Sequence, residues 1–263
     1  MHYPDFFRQP AAPFTQQVLS DAGEWFAKDP HVERCGLVVE GRFLPCENVA
    51  TDPAQRFEIR AEGVAAYSER GVLEGVIHSH PNGPWWPSQA DMAGQIALGV
   101  PWAIMVPGET SSELACHWGG QRPAVFSGGD HLPRAFLHGV SDCYALVRDY
   151  YQEVHRIQLA EFPRKWEWWK EPDSDRGMYL DNLIDQGFEV IATDPAEIAA
   201  LARPGDGYLM AIRSTVPNHA GIVLDQGLVL DHCFGRLSER QPLHRKVRHM
   251  THLVRRRELL EQS

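Results

Sequence analysis

HSHPNGPWWPSQAD, residues 78–91, is the stretch from which the front half of this chain can be read. The residues before it, 72–77, form a short apolar run that reads as a buried strand, and residues 88–98 after it have helical spacing. His78 and His80, at i and i+2 on a strand, project from one face, so both imidazoles can converge on one ion. Asp91, in the first turn of the following helix, is the expected third ligand. Two imidazoles and a carboxylate leave one tetrahedral position for water, the pattern of a catalytic rather than a structural zinc. Ser88 and Asp91 also spell S-x-x-D before an apolar periodic run, which is a helix capping box. The two readings agree, because a capped first turn is a rigid place from which to present a carboxylate.

A zinc-held water still needs a base to take its proton and deliver it to a leaving amine. Glu33, at the mouth of the apolar run in ERCGLVV, residues 33–39, is the candidate, with Glu40 or Glu58 standing in if the strand register differs. Ser88 is placed to donate a hydrogen bond to the oxyanion that forms when a carbonyl is attacked. Around this core lie a periodic stretch at 15–27, a second run near Phe43, a helix-like segment at 61–69 and strands at 102–106 and 113–118.

The spacing predicts a front domain over residues 1–118, a linker over 119–133 where glycine and proline dominate (GGQRP, SGGDHLP), and a rear domain over 134–263. In the rear, helical spacing covers 143–158, with shorter helices at 181–185 and 194–202 and strands at 207–212, 220–224 and 228–231. Residues 247–256 read as a last strand or a basic tail, the basic end RKVRH to RRR most simply as a solvated strand edge. FPRKWEWWKEP, residues 162–172, fits neither period. Its simplest reading is a surface loop packed by its own tryptophans, the alternative a docking or groove-covering surface. The fold class expected is α+β in two domains.

With 263 residues, 43% of them apolar, the chain can bury two cores and is not disordered. Its 35 acidic against 25 basic residues give a net charge of -10, which argues against wrapping a nucleic acid. No apolar run is long enough to span a membrane, and the start MHYPDFFRQP lacks the pattern of a secretory signal, so a cytosolic site of synthesis is expected. Five cysteines with no CxxC pair predict neither a disulfide framework nor a thiolate zinc knuckle, and leave room for a working thiol.

That thiol is Cys143. In DCYALVRDYY, residues 142–151, it opens a helix behind the cap candidates Ser141 and Asp142, where free N–H groups and the helix dipole favour an anion. His219, at the start of the run NHAGIVL, residues 218–224, is the candidate base. His232 is the expected third member, holding that imidazole, with Asp231 in reserve. The separation of His219 and His232 is odd, so the two face one another across an antiparallel pair only if the loop has even length or a bulge intervenes.

ERCGLVV followed by HSHPNGPWWPSQAD resembles the JAB/MPN (JAMM) metalloprotease motif over roughly residues 14–118. The resemblance implies one Zn2+ on His78, His80 and Asp91, with Glu33 as base and Ser88 at the oxyanion, in a mixed sheet with flanking helices. The order DCYALVRDYY, RPGDGYLM, NHAGIVL, LVLDHCFG is similar to NlpC/P60 cysteine peptidases over about 134–243, although this chain has D-C-Y-A where D-C-S-G is common. It implies a papain-like helix on an antiparallel sheet, with Cys143 as nucleophile, His219 as base and His232 as orienting residue. The two domains in one chain resemble the tail assembly proteins of lambda-like phages. Phage tail-tip proteins are then the expected partners and peptidoglycan stem peptides the expected substrate, while the zinc site is expected to process a tail protein. Host cytoplasm during assembly, with carriage in the virion tail tip, is the implied location. The other readings are a structural assembly factor with vestigial sites and a bacterial wall-remodelling hydrolase.

Overall fold

Alternation along the strands decides the layers of the front unit. In β3 (Leu73–Ser79) and β4 (Trp102–Pro107), Ile77, Ala103 and Met105 point to one side while Val76, His78, Trp102 and Ile104 point to the other. The first side packs with Phe14, Val18, Leu19, Ala22 and Phe26 of the segment containing α1 (Gln16–Phe26) into one apolar cluster. β1 (Cys35–Val39), β2 (Arg42–Cys46) and β5 (Ser112–Trp118) complete a five-stranded sheet in the order β2-β1-β3-β4-β5. Only β3 and β4 run parallel, and α3 (Gln89–Leu98) is the helix of the crossover between them. A short α2 (Ala61–Ser68) precedes β3. Gly36 in β1 is required by close approach: a Cβ there would lie 2.3 Å from the Phe43 ring of the neighbouring strand.

The computed structural model describes residues 6–68, 71–81, 83–108, 111–121, 126–127, 130–131, 133–172 and 177–260. The chain divides into two compact units, Asp5–Arg122 and Pro123–Ser263. Much of the expected linker lies outside the described residues, as do residues 1–5. The described part of the linker includes a two-stranded ribbon, β6 (Phe126–Ser127) with β7 (Asp130–His131). Among the described residues no helix is long and apolar enough to cross a membrane.

The rear unit is an antiparallel sheet in the order β12-β11-β10-β9-β13-β8, built from β8 (Phe188–Ala192), β9 (Gly207–Met210), β10 (His219–Leu224), β11 (Leu228–Asp231), β12 (Glu239–Pro242) and β13 (Met250–Arg256). α4 (Cys143–Tyr150), α5 (Met178–Asp185) and the 162–172 segment contribute to one apolar cluster with Leu209, Ala220, Ile222 and Leu230. α6 (Pro195–Leu201) packs with Tyr208, Met210, Val223 and Val229 in another. A short α7 (Leu243–Lys246) follows β12, and α8 (Arg257–Leu260) follows β13. Both units are α+β.

The structure departs from the sequence reading at three elements of the rear unit. The helix over 143–158 is shorter: α4 passes into a single π-helical turn at Tyr151–His155, and Arg156 ends it in the left-handed region at φ 61°. β8 has no clear signal in the sequence, because FEVIA lacks clean alternation. The basic end is not a solvated edge, since β13 pairs on one side with β9 and on the other with β8. Its Arg255 turns inward onto the buried carboxylate of Asp206, with Nε 2.6 Å from Oδ1.

The 162–172 segment is neither a free surface loop nor merely self-packed. Trp168 is buried and stacks on Tyr179 with ring centroids 5.9 Å apart, and Phe162 lies 4.5 Å from Tyr144. Arg164 is wholly buried, its Nη2 2.6 Å from Asp142 Oδ2 and its Nη1 2.6 Å from Glu161 Oε1.

Candidate functional site

In the front unit the sheet register assembles the cluster. Cys35 of β1 pairs with His78 of β3, and the ladder runs on as Ser79 N–H donates to the Arg34 carbonyl at 2.9 Å. Continuing it sets Glu33 opposite His80. α3 then starts at the open end of β3, with Ser88 as its cap: Ser88 Oγ accepts from Asp91 N–H at 3.1 Å, and Asp91 Oδ2 accepts from Ser88 N–H at 2.7 Å. The capping box therefore holds the Asp91 carboxylate against both imidazoles. The Nε2 atoms of His78 and His80 lie 3.1 Å apart, His78 Nε2 is 3.4 Å from Asp91 Oδ1, and His80 Nε2 is 3.5 Å from Asp91 Oδ2.

Those separations suit a shared ion. Ligands about 2.0–2.1 Å from a tetrahedral metal stand about 3.3 Å from each other. His80 Nδ1 lies 2.8 Å from the Pro84 carbonyl oxygen, which fixes Nδ1 as the protonated nitrogen and leaves the Nε2 lone pair facing the cluster. All three residues are buried, and His78 is flanked by the rings of Phe57, at 4.4 Å, and Trp102, at 5.9 Å. Burial pushes the His78 imidazole below its ordinary pKa against the pull of Asp91. For His80 burial also pulls down, but Asp91, the Pro84 carbonyl and Glu33 together outweigh it and the net shift is upward. Burial would raise Asp91, yet the two imidazoles hold its carboxyl well below the usual carboxylate range.

Glu33 is buried, and that burial, reinforced by the Asp91 charge and opposed by His80, raises its pKa to about 7. It shares a cavity of about 340 Å³ with Ser88 and Asp91, walled by Phe57, Ile59 and Trp102. Of the alternatives, Glu40 sits in the turn at the far end of β1, and Glu58 is exposed on the wall of the same cavity.

In the rear unit Cys143 is the first residue of α4 and Asp142 is its cap, with Asp142 Oδ1 accepting from Ala145 N–H at 3.0 Å. The other oxygen, Oδ2, accepts from Gly139 N–H at 2.9 Å and from Arg164. Burial would raise the Asp142 carboxyl, but Arg164 overrides it and holds it below the usual range. Cys143 Sγ lies 3.6 Å from the Tyr179 hydroxyl. It opens on a groove of about 610 Å³ whose lining includes His219, Tyr179, Trp166, Trp169 and Phe234. The tryptophan-rich segment thus forms one wall of the groove, and Phe234, 65% exposed, stands 4.8 Å from Trp166.

His219 is buried at the start of β10, and its Nε2 is 2.5 Å from Asp231 Oδ1. Burial pulls its pKa down, but hydrogen bonds to Asp231 and Cys143 raise it well above the ordinary imidazole value. His232 does not hold the His219 imidazole, and the reason is parity. β10 and β11 pair Leu224 with Leu228 and Ile222 with Leu230 around the three-residue turn 225–227, so the register carries His219 toward Cys233 and sets Gly221 opposite Asp231. Odd-numbered positions of this hairpin share the His219 face. His232 lies on the other, where its ring packs 5.3 Å from Phe136, neither of its nitrogens makes a well-formed hydrogen bond, and burial lowers its pKa to about 3.

Among the described residues a second group with ligand-type side chains is His219, Asp231 and Cys233. Its geometry is that of a hydrogen bond instead. The 2.5 Å His219–Asp231 contact is much shorter than a ligand–ligand edge, and Lys246 Nζ already neutralises Asp231 Oδ2. Sequence reasoning passed over Lys246 and Arg164, which reach their partners across 15 and 22 residues, and Tyr208, whose ring covers Gly221 so closely that a Cβ there would lie 2.3 Å from the hydroxyl.

Known proteins show the same two halves. The profile of prokaryotic homologs of the JAB domain matches residues 15–117, and that of the NlpC/P60 family matches residues 115–256. Tail tip assembly protein K of Escherichia phage N15 is 31% identical over 214 residues, 80% of this chain and 82% of the relative. Tail tip assembly protein K of Escherichia phage lambda is 34% identical over 185 residues, 70% of this chain and 81% of the relative.

Proposed function

This chain belongs to the family of tail tip assembly protein K, and on that footing we propose that it joins the phage tail tip carrying two hydrolytic centres. The rear domain is read as a cysteine endopeptidase acting on peptidoglycan stem peptides. The observation that carries this is Cys143 at the first turn of a helix, lining the same groove as a buried histidine that Asp231 holds.

In that reading the Cys143 sulfur attacks the scissile carbonyl carbon, forming a C–S bond as the carbonyl π pair moves onto oxygen. His219 takes the thiol proton, and Asp231 stabilises the resulting imidazolium. When the tetrahedral centre collapses, the C–N bond breaks and His219 gives its proton to the departing amine. Water then attacks the thioester with His219 taking its proton, the C–S bond breaks, and the acid product and the free thiol are released. Stem peptides carry both carboxylates and amines, and the groove offers charges of both signs, Arg213, Arg236 and Lys170 against Glu167 and Glu239.

The front domain is read as a zinc-dependent peptidase that processes a tail protein. A zinc ion on His78, His80 and Asp91 would supply a Lewis acid and a water that ionises near neutral pH. Glu33 exchanges protons near neutrality and is placed opposite His80 to take one and return it to the leaving group. Ser88 Oγ, having accepted from Asp91 N–H, keeps its own hydrogen to offer a developing oxyanion. The domains join through residues 119–133, and the protein is made in the host cytoplasm and carried in the tail tip. Complementing a phage that lacks this protein with Cys143→Ala and with His80→Ala, each alone, tests the reading. Loss of infectivity with assembled tails for Cys143→Ala supports it; full infectivity of both variants refutes it.

A further inference from the structure

Asp231 is buried, and its two oxygens have separate partners: Oδ1 meets His219 Nε2 and Oδ2 accepts from Lys246 Nζ. Cys233 Sγ lies 3.7 Å from each oxygen. Lys246 is the last residue of α7, and it reaches the site because β12 pairs with β11, Glu239 opposite Asp231, and returns the chain beside it. The basic stretch RKVRH, read from sequence as solvated, thus turns one cation inward, with only 18% of its side chain exposed.

We infer that Lys246 is a positioning residue for the cysteine site, fixing the plane of the Asp231 carboxylate so that Oδ1 is aimed at His219. The inference rests on the reading of Cys143 and His219 as the reacting pair. An ammonium on the second oxygen holds the carboxylate against turning about its last torsion and exchanging oxygens, which a long thiol contact shared between both oxygens does not. Charge gives a second reason. Once the proton has passed from Cys143 to His219, the row Cys143, His219, Asp231, Lys246 alternates in sign and sums to zero. Without Lys246 the same buried row carries a net negative charge, which a low-dielectric site disfavours. The groups facing Asp231 are His219 from β10, Tyr208 from β9, Cys233 beyond β11 and Lys246 from α7. Lys246 brings the one amine among them.

The test uses the full chain and iodoacetamide, with Cys143 modification located by peptide mass mapping and its rate followed from pH 4 to 10. This readout needs no substrate, and Cys35, Cys46 and Cys116 are buried. Wild type is expected to give a bell or plateau set by two ionisations. Lys246→Met should lower the Cys143 rate about tenfold or more and move both limbs to higher pH, because a cation that favours deprotonation has gone. Lys246→Arg, which keeps the cation and can fork onto a carboxylate, should recover most of the wild-type profile. A Lys246→Met profile superimposable on wild type overturns the inference, as does a Lys246→Arg profile no better than Lys246→Met. Should Lys246→Met not fold, Lys246→Gln is read by the same criteria. If wild-type Cys143 itself behaves as a single ordinary thiol, the reacting-pair reading fails first, and that failure is visible without any Lys246 variant.

Discussion

The Nε2 atom of His219 lies 2.5 Å from Oδ1 of Asp231, although His232 is the residue whose type first suggests a partner. The contact exists because both side chains fall on the same parity of the β10–β11 hairpin. Asp231→Asn should therefore lower kcat by about two to four orders of magnitude, since an amide does not stabilise the imidazolium. His232→Gln, on the opposite face, should leave the pH dependence of turnover unchanged. Steady-state kinetics of the two variants separate these outcomes; equal losses would mean the third residue is misassigned.

Arg164 and Asp142 form a wholly buried pair that ties the 162–172 segment to the cap of α4. Arg164→Met strands a carboxylate and should cost the rear domain about 3–5 kcal/mol at pH 7. Asp142 is depressed in the folded state, so its contribution is present above the unfolded value of about 3.9 and is lost as pH falls toward the folded value. Urea unfolding at a series of pH values should show the gap between wild type and variant narrowing below about pH 4. A gap independent of pH would place the loss in packing instead.

Metal content distinguishes the two ligand-like clusters. Purified protein should hold about one zinc per chain, lost in Asp91→Asn and retained in Cys233→Ser. Two zincs per chain, or one that disappears with Cys233, would contradict the hydrogen-bonded description of the rear site.

Gly221 lies beneath Tyr208, where a Cβ would sit 2.3 Å from the hydroxyl and 2.7 Å from the Leu230 carbonyl oxygen. Gly221→Ala should destabilise the rear domain by about 1–3 kcal/mol. Because one of the clashing atoms is backbone, Tyr208→Phe should not restore it. Thermal unfolding of the single and double variants measures both statements.

What could be read from the sequence follows the range of the interactions. The front ligands were legible because they are local: i and i+2 on one strand, then a cap and its third helical residue thirteen positions on. Cys143 was legible for the same reason, as the residue after a cap. The orienting residue was not, because its identity hangs on a single parity. Had the turn Asp225–Gly227, with Gln226 at φ 59°, been read as a three-residue loop, the register would have excluded His232 in advance. Lys246 and Arg164 reach the site only after strands and loops close over longer distances, and no local periodicity announces that. β13 was half legible, since residues 247–256 could be read as a strand or as a basic tail, and its two-sided pairing depends on β8, whose own pattern is weak.

Cys143 with His219 is proposed to cleave amide bonds in wall-derived peptides. The most direct measurement is the release of new amino groups from purified peptidoglycan stem peptide by the full chain, with products identified by mass. Wild type and His80→Ala should release them, and Cys143→Ala should not. No release by wild type, or equal release by Cys143→Ala, would contradict that proposal.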